Sequence, residues 1–381
     1  MKPVKKTVHK QPSFQLKSTT VEAYVTEQGG HLAPVVFDRQ GCKIQPFSVA
    51  PWAEERPDPS LPQLLKVLRG DFFCMPFGGN DQPFKGEKFP AHGETANNRW
   101  TFESLEKDDG RTTLHLSMKT SVRKGRVDKR ISVIDGHNAV YSQHVISQMS
   151  GPMNLGHHAT LKFPDEPGSG YVTFSPYRFG QVFIEPTERP EERGYSILKP
   201  GYEFKDHRKV ATITGEFTDL SRYPARRGFE DIVQIVADAK RDVAWTAVSF
   251  PRQRYVWFAL KDPKVLAGTV MWMSNGGRHY APWNGRHVSV MGLEEITGYF
   301  HIGIAASAKK NPFNDRGVPT VLKLNPAKPT VVNYIMAVAP TPANFTAVKD
   351  IVLDEKGCTL IAENGKKVKA PIDVAFLQSG K

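Results

Sequence analysis

Thr112-Thr113-Leu114-His115-Leu116-Ser117-Met118-Lys119 alternates apolar and polar side chains without a break. Leu114, Leu116 and Met118 fall on one side and Thr113, His115, Ser117 and Lys119 on the other, the period of two required of a half-buried β-strand. Asp109-Gly110, just ahead of it, has the chemistry of a tight hairpin turn. The same pattern recurs along the chain. Short runs rich in Val, Ile, Thr and aromatic residues occupy 21–25, 126–133, 140–146, 210–217, 232–236, 243–250, 255–260, 269–273 and 331–338, with two more around Ile351 and Val368. Turn pairs such as Asp135-Gly136, Asn275-Gly276, Asn284-Gly285 and Asn364-Gly365 stand at the joints. The sequence therefore predicts an all-β protein of many antiparallel strands. Helical signals are confined to 61–68 and to 342–349, where Thr341 is placed as an N-cap and Pro342 at the first helical position.

Composition agrees with this reading. The 381 residues are 39% hydrophobic, which is ordinary for a globular chain, and the 31 glycines and 29 prolines are scattered between short apolar runs rather than gathered in one region. No repeat of fixed period appears, which argues against a propeller or solenoid. The expected organisation is a loose basic tail over 1–18 followed by a single β-domain over 19–381. The formal net charge of +12 calls for an anionic partner, but the basic residues are spread out. The dense runs, 2–10, 123–130 and 366–369, lack the interleaved aromatics of a single-strand platform, so no nucleic-acid role is expected. Cys42, Cys74 and Cys358 form no CxxC pattern and read as reduced structural thiols. With no apolar secretory core in the first residues and no long apolar run, the expectation is a cytoplasmic protein without a membrane partner.

Four segments are unusual for plain strand material: 68–79 with 92–100, 154–158, 217–223 and 272–295. They set Arg, His, Trp and Glu among glycines, as loops that approach a ligand do. A lone His or a Glu pair is more often structural, and Trp100, Trp272 and Trp283 serve as well for packing as for a ligand. His157, His158, His279 and His287 show no HxH or HxxxH spacing beside a carboxylate, so no metal site is expected. The serine-hydrolase elbow, the P-loop and the dinucleotide fingerprint are absent in usable context. Strand phase adds one constraint. Adjacent residues of a strand point to opposite faces, so His157 and His158 separate, and Glu294 shares a face with Gly292 while Glu295 points away.

The order of these segments resembles the galactose mutarotase-like superfamily, and within the aldose 1-epimerases its hexose-6-phosphate mutarotase branch. The likeness is carried by Arg69-Gly70 with Pro76-Phe77-Gly78, His92-Gly93 with Trp100, Asn154-Leu155 with His158, Phe217-Thr218-Asp219 with Tyr223, and Gly292-Leu293-Glu294. It spans most of the chain and implies a large antiparallel β-supersandwich with few short helices.

The resemblance also implies a chemistry. Anomerisation of an aldose removes the proton of the C1 hydroxyl and protonates the ring oxygen, which takes an acid and a base and needs no cofactor or metal. By resemblance, Glu294 is the base and His158 the acid, while His92, Arg69 and Asp219 bind the sugar and Arg99 is a further substrate-binding candidate. Two departures stand out. Ala96 replaces the branch's Arg four residues after His92, and Glu295 replaces the Pro that often follows the base, which leaves Glu294 and Glu295 both open. The expected partner is a small carbohydrate, with an anionic one among the options. The alternative is a sugar-binding or regulatory protein of the same fold without catalysis.

Overall fold

Each alternating run needs a neighbour for its apolar side, and stacking two sheets meets that need for all of them at once. In the computed structural model, which describes residues 3–56 and 58–380, all paired strands are antiparallel. Nine of them form one sheet in the order Arg222–Tyr223, Gly170–Phe174, Ala244–Phe250, Tyr255–Lys261, Thr330–Pro340, Ala139–Ser147, Gly125–Ile134, Arg111–Thr120, Thr101–Asp108. The strand Arg111–Thr120 contains the run quoted above, with Leu114 and Leu116 fully buried and Asp109 and Gly110 both at positive φ in the turn before it.

The second large sheet has seven strands. Five of them position the site: β1 (Phe73–Cys74), β2 (Leu155–Lys162), β3 (Phe229–Ala237), β4 (Gly268–Asn275) and β5 (Val290–Thr297). They lie side by side in the order β3-β4-β5-β2-β1, with Tyr177–Val182 and Glu203–Phe204 beyond β3. Leu155, Leu161, Val233, Met271 and Leu293 of this sheet meet Leu116, Val127, Val248, Trp257 and Met336 of the other in the main core. β4 and β5 are buried along their whole length, so their outer faces are covered too. That cover is a second apolar layer around Trp52, Phe72, Phe77, Trp272 and Trp283, roofed by the short helices α1 (Gln63–Val67) and α2 (Gly93–Asn97). The outer face of the nine-stranded sheet is closed by the three-stranded sheet Val348–Asp354, Gly357–Ala362, Lys367–Ala370.

Three expectations need correction. Residues 5–17 are not a loose tail: Lys5–Val8 and Gln11–Lys17 form a hairpin in a four-stranded sheet with Glu22–Thr26 and Leu32–Val36. Phe14 and Leu16 bury their side chains in the main core, and that burial fixes the hairpin. Met1 and Lys2 of the expected tail, and Pro57 and Lys381 of the expected domain, lie outside the described residues. The 342–349 segment forms no helix, because Phe345 and Val348 are drawn into the C-terminal core and Val348 begins a strand. The 210–217 run is broken by a turn into the two-residue strands Val210–Ala211 and Phe217–Thr218. Among the described residues no helix is long and apolar enough to cross a membrane.

Glu295 is fixed by the fold. It points from β5 into the space between the sheets, where it accepts hydrogen bonds from Thr246 Oγ1 at 2.6 Å and Thr269 Oγ1 at 2.7 Å and pairs with the ammonium of Lys261. Both charged side chains are almost wholly buried, and Lys261 also donates to the carbonyl of Gly268 at 2.7 Å. Removing one partner strands the other charge. Glu295→Ala is expected to lower stability by about 3–5 kcal/mol, whereas replacing both residues with apolar ones costs far less. Urea midpoints of the single and double variants check this.

Candidate functional site

β2 and β5 are hydrogen-bonded neighbours whose register sets His158 opposite Glu294 and His157 opposite Glu295. The pleat then sorts the four residues. His157 turns inward and bonds Asp71 Oδ2 at 2.9 Å, beside the inward Glu295. His158 and Glu294 turn outward, with Nε2 and Oε1 3.2 Å apart. Phase and register thus separate the two glutamates left open by the sequence. Gly292 is needed for this, since a Cβ there would come within 2.5 Å of Glu294 Oε1 and 3.2 Å of the Trp272 Cβ.

Around this pair stands a cavity lined by Leu64, Leu68, Trp272, Trp283, Arg278 and His301, among others. Phe72 stacks on the His158 ring at 4.4 Å, Trp272 meets it edge-on at 5.7 Å, and the His158 Nδ1 lies 3.2 Å from Thr160 Oγ1. The His92 ring stands 5.1 Å from that of His158 and nearly perpendicular to it. His92 is delivered by a sharp turn into α2, with φ of 58° at His92 and 74° at Gly93. A Cβ on Gly93 would lie 1.9 Å from the carbonyl oxygen of Met75, so the glycine after His92 is dictated by this close approach. On the far wall Trp272 Nε1 donates to Glu230 at 2.9 Å, and Arg278 pairs with Glu188.

Burial sets the electrostatics. Loss of hydration holds His158 well below its ordinary value and lowers His92 to about 3 and His301 to about 4, so these imidazoles are neutral at neutral pH. The same loss pushes the Glu294 carboxyl well above the ordinary carboxylate range, with the positive charge of Arg278 opposing it. Burial therefore favours the uncharged form of both groups, a neutral imidazole beside a protonated carboxyl.

The chain matches known structures in shape. It superposes on a galactose mutarotase-like protein from Clostridium acetobutylicum with a TM-score of 0.59 at 12% identity, covering 89% of this chain and 98% of that one. A galactose mutarotase related enzyme from Lactobacillus acidophilus superposes with a TM-score of 0.54 at 12% identity, over 87% and 98% of the two chains. The chain has the galactose mutarotase-like fold. No protein-family model and no curated protein matches the sequence.

Within this mutarotase-like frame the anticipated residues divide. His92, His158 and Glu294 converge on the cavity. Arg69 does not: its guanidinium is buried and donates to the carbonyls of Val67, Val8 and His9 at 3.1, 2.9 and 3.1 Å, fastening the N-terminal hairpin. Arg99 is exposed and pairs with Glu27. Asp219 lies in a separate groove with Tyr171 and Arg222, where it accepts bonds from Ser221. Trp100, considered as a sugar platform, is buried in the main core and donates to the carbonyl of Thr95. In each case a local partner satisfies the side chain, and spacing in the sequence says nothing of that partner. His301, Glu188 and Glu230 were missed. His301 is a lone histidine, while Arg278 and Trp283 lay in a flagged segment without an assigned role.

The raised Glu294 carboxyl has a consequence for stability. A carboxyl with an elevated folded value contributes stability fully below its unfolded value of about 4.3, and that contribution is lost as pH rises through the folded value. Glu294→Gln removes the dependence. Its stability relative to wild type should be greater at pH 8 than at pH 5, as read from denaturant midpoints; equal differences at the two pH values would mean the carboxyl is not held protonated.

Proposed function

We propose that this cavity takes a small aldose and interconverts its anomers, His158 and Glu294 moving the protons. One observation carries the reading: an imidazole and a carboxyl face each other at 3.2 Å on the outer face of β2 and β5, beside a cavity walled by Trp272 and Trp283. O1 and O5 of an aldose are bonded to the same carbon. An acid and a base on adjacent strands therefore reach both from one side, and no cofactor is called for. In the form that burial favours, the carboxyl gives its proton to O5 while the neutral imidazole takes that of O1; in the other tautomer the carboxylate is the base and the imidazolium the acid. Ring closure on the opposite face reverses the transfers. His92 and His301, kept neutral by burial, offer hydrogen bonds without adding charge.

A second reading, a sugar-binding protein without turnover, is favoured by the His158–Glu294 contact itself, because two groups that satisfy each other have less to offer a ligand. Relaxation of α-glucose and α-galactose followed by polarimetry or NMR separates the two. His158→Ala and Glu294→Gln should each slow the enzymatic rate by roughly 10²- to 10⁴-fold, the usual worth of a general acid or base. Sugar binding without acceleration over buffer by the wild type would select the second reading.

The pH profile follows from the shifts. A second proton joins the pair only well below pH 6.5, and the single proton leaves only above the elevated Glu294 value. The acid limb of the rate should therefore lie well below the ordinary histidine value, as read from the rate between pH 4 and pH 8.

A further inference from the structure

Arg278 stands on the loop that follows β4 and folds back over the cavity. Its Nε donates to Glu188 Oε1 at 2.6 Å, and Glu188 in turn accepts from the Tyr280 hydroxyl at 3.0 Å. The guanidinium lies over the Trp283 ring at 4.6 Å and the Trp272 ring at 5.4 Å. These contacts fix its plane. Nη1 and Nη2, which carry four of the five N–H donors, have no hydrogen-bond partner among the described residues. They are not sealed off either, since the side chain keeps 17% of its surface exposed and lines the cavity.

We propose that Arg278, held by Glu188 and Tyr280, is a specificity-determining residue that binds hydroxyl oxygens of the sugar on the side away from C1. This rests on the aldose reading of the cavity. It takes the part that the resemblance gave to Arg69, whose Nε, Nη1 and Nη2 each donate to a backbone carbonyl away from the cavity. The charge arrangement identifies the ligand class. Arg278 is the one Lys or Arg among the described lining residues, and Glu188 touches it directly. The buried Glu230 carboxyl, raised to about 7 by desolvation, feels the same guanidinium. A phosphate would bring about −1.5 to −2 of charge and find no uncompensated cation. Neutral hydroxyl oxygens accept the Nη donors at no such cost, and the ligand is therefore an aldose unsubstituted by an anion.

The test pairs protein variants with deoxysugars. Arg278→Gln should raise KM for a hexose roughly 10- to 100-fold, the loss expected for hydrogen bonds from a charged donor. The kcat should stay within about threefold, as for a group that binds ground state and transition state alike. Arg278→Lys should restore part of the loss. For at least one of the 2-, 3-, 4- and 6-deoxy hexoses, wild type and Arg278→Gln should bind equally, because the interaction is already gone. Since Arg278→Gln leaves the Glu188 carboxylate unpaired, Arg278→Gln/Glu188→Gln serves as the folded control and should show the same KM loss. The proposal is overturned if the loss is the same for every deoxysugar, if kcat falls with KM unchanged, or if wild type prefers a hexose 6-phosphate to the hexose. Calorimetry on the same sugars keeps the two readings apart. Binding without turnover sinks only the catalytic reading, and the deoxysugar comparison still decides on Arg278; no binding of any sugar by the wild type sinks both.

Discussion

The pairing of β2 with β5 is the constraint on which the rest of the molecule depends. Its antiparallel register sets two adjacent histidines against two adjacent glutamates, and the pleat divides them into an outer couple and an inner couple. The outer couple, His158 and Glu294, faces the cavity. The inner residues each find a separate partner, Asp71 for His157 and Lys261 for Glu295. A slip of one residue would exchange the sets, placing the wrong histidine at the cavity and tearing the Lys261–Glu295 pair from the core. The buried ion pair thus pins the register that the site requires, on a strand with no solvent-exposed side of its own.

Burial works differently on the two faces. Between the sheets it is met by complementary charge, with Lys261 donating to Glu295, Gly268 and Thr269. At the cavity it is only partly met. There the imidazoles are neutral, the Glu294 carboxyl is held up, and Arg278 keeps unused donors. Incomplete satisfaction is costly in a core and useful in a site, because a ligand supplies the missing partners. The contrast between the two adjacent glutamates is the clearest instance in this chain.

Much of the architecture was legible in the sequence because a half-buried strand writes its orientation in every second residue. The run over 112–119 and its relatives across the chain gave the all-β class, and the Asp-Gly and Asn-Gly pairs marked the joints. The strand phase of 288–294 placed Glu294 beside Gly292 and apart from Glu295. Where the reading failed, tertiary packing overruled a local signal. Thr341-Pro342 is a sound helix start, yet Phe345 and Val348 were worth more as core residues in an extended chain. The basic character of 5–17 suggested a solvated tail, while Phe14 and Leu16 were enough to anchor it.

The site divides along the same line. The sequence by itself determined most of the strands and their two faces, and thus that the two adjacent histidines, like the two adjacent glutamates, would point to opposite sides of the sheet. Only the tertiary structure decided which arginine stands there. Arg69 and Arg278 are equally polar residues beside glycines in the sequence. One has all three guanidinium nitrogens bonded to backbone carbonyls, and the other is braced by Glu188 against two tryptophans with both terminal nitrogens left over. Which of these a side chain meets depends on residues 60, 61 or 90 positions away, and no local period or spacing records that.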